Sequence, residues 1–182
     1  MFDIRKIQEE KLYNVIAEKE NEETATAIVY GANHEYAAES NAEWVNNTMA
    51  RLEKTHHADA VKEIRMHCQC GYGMEAKVAL VKKLMEQSTN LEEFVSYPEA
   101  KQAGLSAKDN ELYLEFHFCP CPMLETVTKL NSKAWCQCTT GYSKALFEKA
   151  FGCEVTVDLL KSIKSGDDIC LMKITSHENI WK

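Results

Sequence analysis

The sequence predicts an α+β fold, with a helical N-terminal half packed on an antiparallel sheet formed mainly by the C-terminal half. Apolar residues recur at helical spacing through the first half, whereas later segments have the pattern of strands. The 182 residues include only three prolines and seven glycines, which favours long helices and few long loops. The length favours one domain, in which residues 1–56 are a helical extension and residues 57–182 form the α+β part.

Three helices are predicted in the extension. Residues 4–19 carry apolar side chains at helical spacing with charges between them, and residues 24–30 are largely apolar. Ser40 followed by Glu43 forms a capping box, in which each residue bonds the other's backbone N–H. This signal predicts that a helix begins there and spans about residues 41–55.

Three further helices are predicted before the sheet. Asp59 can cap a short helix that runs into Cys68. After Gly73, apolar residues form a stripe with charged residues outside it, which predicts the clearest helix of the chain. Asn90 can cap a short helix through Phe94.

The pattern changes after the turn residues 108–110. Residues 111–118 alternate as strand residues do. Residues 139–151 have helical spacing, and residues 154–160 and 169–175 are β-like. These segments predict an antiparallel sheet with one or two helices packed on it.

Charge and composition exclude several classes of partner. The net charge is −7, and the lysines and arginines are scattered, so neither nucleic acid nor an anionic membrane surface is an expected partner. No segment approaches the roughly 18 apolar residues that a membrane span requires. Because the start of the chain also lacks a signal-peptide core, we expect a cytoplasmic location, where thiols stay reduced.

The presence of eight cysteines requires an explanation other than disulfide stabilisation, since a chain of this length can bury a core without disulfides. Six of them form three Cys-x-Cys pairs at boundaries of predicted elements, where side chains can point into a shared pocket. A helix N-terminus there also stabilises a thiolate. Two histidines flank the pairs, and His117 is the candidate ligand among them. The pairs predict a metal site on Cys68, Cys70, Cys119, Cys121, Cys136, Cys138 and His117.

The cysteines also fit two roles without a metal. They could be buried thiols in an apolar core, and we expect that of Cys153. They could form a dithiol redox pair, although the familiar Cys-x-x-Cys spacing is absent, and a Cys-x-Cys disulfide would be strained. If a metal is bound, zinc is favoured over an iron–sulfur cluster, because common cluster motifs use two- and four-residue gaps.

The C-terminal part resembles a known family. Residues 135–152, Trp-Cys-Gln-Cys-Thr-Thr-Gly-Tyr-Ser-Lys-Ala-Leu-Phe-Glu-Lys-Ala-Phe-Gly, resemble the Gly-Tyr helix segment of the 4-vinyl-reductase type of small-molecule-binding domain. Residues 155–158 and 165–174 resemble the closing hairpin of that domain, with its Gly-Asp turn and final Cys. The same tail is similar to the family described as L-2-amino-thiazoline-4-carboxylic acid hydrolase.

The resemblance implies an antiparallel sheet, a buried pocket for a small hydrophobic or heterocyclic molecule, and a possible homodimer. In sensors of the 4-vinyl-reductase type, zinc is held by a Cys before the Gly-Tyr helix, a carboxylate and two Cys of the last hairpin. Cys138 or Cys136, Asp158 and Cys170 match three of these positions, which adds Cys170 to the predicted ligands. The fourth position is occupied by Ile163 here.

These observations favour a zinc-containing protein that binds a small molecule. The alternatives are a metal- or thiol-dependent hydrolase and a thiol redox or metal-handling protein. The sequence has no Gly-x-Ser-x-Gly, His-Glu-x-x-His or phosphate-loop motif, so nothing in it demands catalysis. An apolar pocket would be lined by aromatic and apolar residues, and the candidates are Tyr72, Met74, Trp135, Tyr142 and Phe147.

Overall fold

The computed structural model describes residues 3–31 and 40–181 and confirms the α+β class, with helices first and an antiparallel sheet later in the chain. The helices of these residues are α1 (Ile4–Lys19), α2 (Glu22–Val29), α3 (Asn41–Thr55), α4 (Ala58–His67), α5 (Met74–Glu86), α6 (Leu91–Ser96), α7 (Pro98–Gln102) and α8 (Gln137–Phe151). The strands are β1 (Leu105–Lys108), β2 (Glu111–Phe116), β3 (Val155–Lys161) and β4 (Cys170–Ser176).

The helix starts follow the predicted caps except at α4. The capping box that begins α3 is complete, because Ser40 Oγ accepts from the N–H of Glu43 and the Glu43 carboxylate accepts from the N–H of Ser40. The prediction that Asp59 caps α4 is wrong. His57 is the N-cap, and its Nδ1 accepts from the N–H of Ala60. Histidine is not among the residues favoured as N-caps, so the sequence pattern indicated Asp59, two residues after the N-cap that the structure has.

The sheet has the strand order β1-β2-β4-β3, and every pair is antiparallel. Strand β1, which the sequence pattern did not predict, pairs with β2 across a tight turn. Asp109 and Asn110 occupy that turn with φ of 52° and 60°, the left-handed conformation that two-residue hairpin turns require. One face of the sheet is apolar and is covered by helices, and it carries Leu114 and Met172 in register.

Buried apolar side chains form two clusters. The helical cluster comprises the buried apolar residues of α1 to α4 together with Cys68, Met123, Leu124, Val127, Leu130, Trp135 and Cys138. The sheet cluster comprises the buried apolar residues of α5, α6, α7, the four strands and the second half of α8. Helix α8 therefore contributes to both clusters, with Cys138 in one and Phe147 in the other.

The segment between β2 and α8 crosses from the sheet to the helical cluster. It is irregular apart from two short 3₁₀ turns, Pro122–Leu124 and Ala134–Cys136. Buried Met123 and Trp135 anchor it among the helices. This crossing places the second and third Cys-x-Cys pairs at the junction of the two clusters. No helix within the described ranges is both long and apolar enough to cross a membrane.

Candidate thiolate centre and ligand cavity

Five cysteines from three parts of the fold line one small cavity. Its volume is about 10 Å³, close to the space that one water-sized sphere needs. One cysteine pair follows β2, the second pair spans the start of α8, and the fifth cysteine begins β4. The cavity is lined by Cys119, Cys121, Cys136, Cys138 and Cys170. Two of the three predicted pairs therefore meet in space, together with the single Cys170.

The two cysteines of the first pair, Cys68 and Cys70, lie in different environments. Cys68 is fully buried after α4, and its thiol donates to the carbonyl of Ile64 over 3.1 Å. It lies close enough to Cys138 for the two thiols to affect each other electrostatically. Cys70 lines a second, larger cavity. Neither residue is among the described lining of the small cavity.

Cys121 and Cys138 form a hydrogen-bonded pair of sulfurs. The Cys121 thiol donates to Cys138, which lowers the pKa of Cys138 and raises the pKa of Cys121. Arg65 also lowers the pKa of Cys138, against the effect of burial. A thiolate at Cys138 and a thiol at Cys121 are therefore the favoured arrangement of this pair.

Arg65 places a buried positive charge near these thiols. Its side chain is fully buried, and its guanidinium lies 3.8 Å from the ring centroid of Trp135. Nη2 donates to Gln8 Oε1 and to the carbonyl of Trp135, each over 3.3 Å. Nε and Nη1 have no hydrogen-bond partner within the described part of the chain. Since a buried charge requires compensation, this arginine indicates negative charge on the neighbouring cysteines.

Three further thiols near the centre, those of Cys68, Cys119 and Cys136, favour the protonated form. Burial raises the pKa of Cys68 to about 11, and it raises the pKa of Cys136 to about 12 although Ser162 Oγ donates to that sulfur over 3.2 Å. Burial also raises the pKa of Cys119. A metal ion binding here would therefore displace protons, and its affinity would rise with pH.

The thiols match a soft metal ion in type and number, since four would complete a tetrahedral zinc site. As they stand, no three His, Cys, Asp or Glu side chains of residues 3–31 and 40–181 are arranged to hold a metal ion. Binding would therefore require some thiols to change rotamer. His117 is exposed and paired with Glu115 at 2.8 Å. Asp158 opposes Lys173 in the β3–β4 register and does not line the small cavity.

A close helix contact brings the thiols and Arg65 together. At Gly141 of α8, an added Cβ would lie 1.9 Å from the carbonyl oxygen of Met66 in α4. Only glycine permits the two backbones to approach so closely. The contact holds Arg65 and Cys68 of the α4 end against Cys138 at the start of α8.

A large cavity of about 670 Å³ adjoins the cysteines. It lies between α1, α5, α8 and the β1–β2 edge of the sheet. Of the predicted pocket residues, Tyr72, Tyr142 and Phe147 line it. Met74 packs in the sheet cluster, and Trp135 lines the small cavity instead, stacked with Arg65.

Four residues line both cavities and so form the wall between them, namely Pro120, Cys121, Cys138 and Thr139. A molecule in the large cavity would be separated from the cysteine centre only by this wall. Sequence reasoning missed the residues that complete the arrangement, namely Arg65 and Gln8 on one side and Thr139 on the other. Nothing in their spacing distinguishes them from ordinary helix residues.

Comparisons with known proteins give a family without a function. Residues 1–181 match a family described only as a family of unknown function, DUF6144. No curated protein and no solved structure matches the chain.

Proposed function

Since the chain belongs to the DUF6144 family, which carries no assigned activity, we propose from its geometry that it binds a small, largely apolar molecule beside a cysteine-held zinc ion. The observation that carries this proposal is the shared wall. Cys121 and Cys138 face the large cavity on one side and three further cysteines on the other. A ligand and a metal site would therefore be separated only by the four residues that line both cavities, Pro120, Cys121, Cys138 and Thr139.

The proposed zinc ligands are Cys119, Cys121, Cys136 and Cys138, and Cys170 is the fifth cysteine that lines the small cavity. Four thiolates around zinc carry a net negative charge, and buried Arg65 would offset it. When bound, zinc would supply a cross-link between the segment after β2 and the start of α8. No disulfide within the described residues joins these two segments, since all of their cysteines are free.

Binding is favoured over hydrolysis by the composition of the small cavity. Its described lining contains no His, Asp or Glu that could act as a general base beside a metal-bound water. A closed site of four thiolates also leaves no open position for a substrate, as is usual for structural zinc. The aminothiazoline-type hydrolase suggested by the sequence resemblance remains the alternative.

The zinc part of the proposal is tested by measuring the metal content of the protein. The chain is purified under anaerobic conditions, and zinc is quantified by plasma mass spectrometry together with a thiol count. We expect about one zinc per chain, lost in Cys121→Ser and in Cys138→Ser. Cys153→Ser is the matched control and should keep the metal, because Cys153 lies outside both cavities. A metal-free wild type with all thiols reactive would contradict this part of the proposal.

A second candidate, thiol redox chemistry, is favoured by the Cys121–Cys138 hydrogen bond. The Cys138 thiolate would attack a small disulfide, form a mixed disulfide and release one thiolate, which would take the proton of the Cys121 thiol. The resulting Cys121 thiolate would then attack Cys138 in the mixed disulfide, release the second thiolate and form a Cys121–Cys138 disulfide, so that one disulfide is consumed and one is formed. Loss of two thiols per chain on treatment with a small disulfide, in a metal-free protein, would support this candidate.

A further inference from the structure

The interior of the large cavity is apolar. Leu105 and Leu114 contribute from the sheet, Val81 from α5, and Leu146 and Phe147 from α8. These residues also belong to the sheet cluster, so the cavity floor is continuous with the hydrophobic core. Burial of apolar surface against such a floor favours an apolar group, whereas a polar group there would lose its water without gaining hydrogen bonds.

The mouth of the cavity has a different character. Lys77 of α5 and Lys101 of α7 lie at the mouth and are exposed. Neither lysine pairs with a carboxylate of the described residues, although Lys83 of α5 does pair with Glu99 at 3.4 Å. The Lys77 ammonium lies 4.8 Å from the ring centroid of Tyr142, which holds it over the cavity wall.

The charge balance at this mouth is the reverse of that of the whole chain. The described lining contains one carboxylate, Glu115, which lies 2.8 Å from His117. With histidine counted as neutral, the two lysines and this carboxylate leave a net charge of +1 at the opening, in a chain whose net charge on the same count is −7. The exposed rings of Tyr72 and Phe118 also line the cavity and add apolar surface at its rim.

We propose that the large cavity binds an amphipathic anion, which is an apolar chain or ring system with one negatively charged head group. The head group lies at the mouth between Lys77 and Lys101. The apolar part extends inward over Leu114 and Phe147 towards the wall that contains Cys121 and Cys138. This inference rests on the proposed small-molecule function and names the chemical class of its ligand.

The charge arrangement also defines what the cavity rejects. A cationic head group at the same position would be repelled by both lysines. A neutral molecule with the same apolar part would gain the apolar contacts but no charge-assisted hydrogen bonds. The order of affinity is therefore anion, then neutral analogue, then cation.

The test compares three probes that share one chain and differ in the head group: decanoate, decanol and decylamine. Binding to the unaltered 182-residue chain is measured by calorimetry at low and at physiological salt. We expect decanoate to bind roughly tenfold tighter than decanol, with decylamine weakest and the difference reduced by salt. Leu80→Trp, which would fill the cavity from α5, should abolish binding of all three.

The lysines are tested with the double variant Lys77→Gln and Lys101→Gln. It should bind decanoate and decanol equally, whereas Lys82→Gln, on the same helix but outside the cavity, should keep the wild-type preference. Equal binding of the three probes by the wild type, or a preference that survives the double variant, would overturn the anion inference and leave the binding function intact. If none of the probes binds, the small-molecule function fails together with this inference, independently of the zinc result.

Discussion

The guanidinium of Arg65 lies over the ring of Trp135 and is close enough to the thiols of Cys68 and Cys138 to lower the pKa of each. It forms no ion pair with a described carboxylate, and Gln8 satisfies only one of its nitrogens. A cation buried in this way destabilises the fold unless neighbouring groups carry the opposite charge. The cysteines are the groups that can do so, and Arg65 lowers the pKa of Cys138, which links the charge of Arg65 to the charge of the cysteine centre.

Replacement of this arginine tests that link. Arg65→Met removes the charge and keeps an apolar side chain over Trp135, so a negatively charged metal–thiolate centre would lose its compensation. We expect zinc affinity to fall by roughly tenfold or more, measured by competition with a chromophoric chelator. Arg65→Lys keeps the charge and should lose less. Equal affinity in all three proteins would show that Arg65 has no electrostatic role.

Cys68 is one of the thiols that make the stability of the metal-free protein depend on pH in alkali. Below about pH 8.5, the ordinary pKa of a cysteine, the folded and unfolded chains both hold the proton. Above that pH the unfolded chain loses it, while burial keeps the folded thiol protonated up to about 11. Stability therefore falls as the pH rises, by about 2 kcal/mol from this residue near pH ~10.

Urea unfolding of the metal-free protein at a series of pH values measures this effect. Cys68→Ala should lose less stability than the wild type over the same pH range, whatever its stability at neutral pH. The other thiols with a raised pKa, Cys119, Cys121 and Cys136, leave a slope of the same sign in this variant, so the difference between the two proteins reports the contribution of Cys68. Parallel curves for the two proteins would contradict the effect assigned to Cys68.

The contact of α4 with α8 depends on one residue without a side chain. In Gly141→Ala the new methyl group would overlap the backbone of Met66, so the two helices would have to separate. We expect a loss of about 2 to 3 kcal/mol in the free energy of unfolding. The shift would also move Arg65 and Cys68 away from Cys138, so zinc affinity should fall as well.

Gly152, which ends α8, is the matched control. It has φ of 74°, but an added Cβ would meet no atom within 4 Å. Gly152→Ala should therefore cost only the strain of a left-handed residue, about 1 kcal/mol, and leave zinc affinity unchanged. Comparable losses in the two variants would show that the helix contact at Gly141 is not specially close.

The two hydrophobic clusters make the folding of the whole chain interdependent. Buried Leu12, Leu52 and Val61 lie in one helical cluster, on both sides of the boundary predicted between residues 56 and 57. A fragment of residues 57–182 would expose the apolar faces of α4 and Trp135.

We expect this fragment to lack a stable helical cluster, to bind a hydrophobic dye and to lose the near-ultraviolet dichroism of Trp135. Size-exclusion chromatography and dichroism, compared with the full-length chain, measure these changes. A monomeric fragment with native dichroism would instead support residues 1–56 as an independent extension.

Local patterns determined the secondary structure. Helical spacing and the cap at Ser40 located α1, α3 and α5, because these signals act within a few residues of the chain. The same reasoning predicted three of the strands, with β2 ending at Phe116 instead of residue 118 because the chain turns towards the helical cluster there. It missed β1, whose four residues are too few to show an alternating pattern.

The sequence by itself determined the α+β class, most helix boundaries and the unusual pairing of cysteines, because each of these depends on neighbouring residues. Only the tertiary structure decided which cysteines meet, since Cys68 and Cys70 face different surroundings while Cys170 joins pairs far from it in the chain. It also brought Arg65 close to the thiols. It placed two lysines at the mouth of an apolar cavity. These relations depend on how helices pack on one another and on the sheet, which spacing along the chain does not encode.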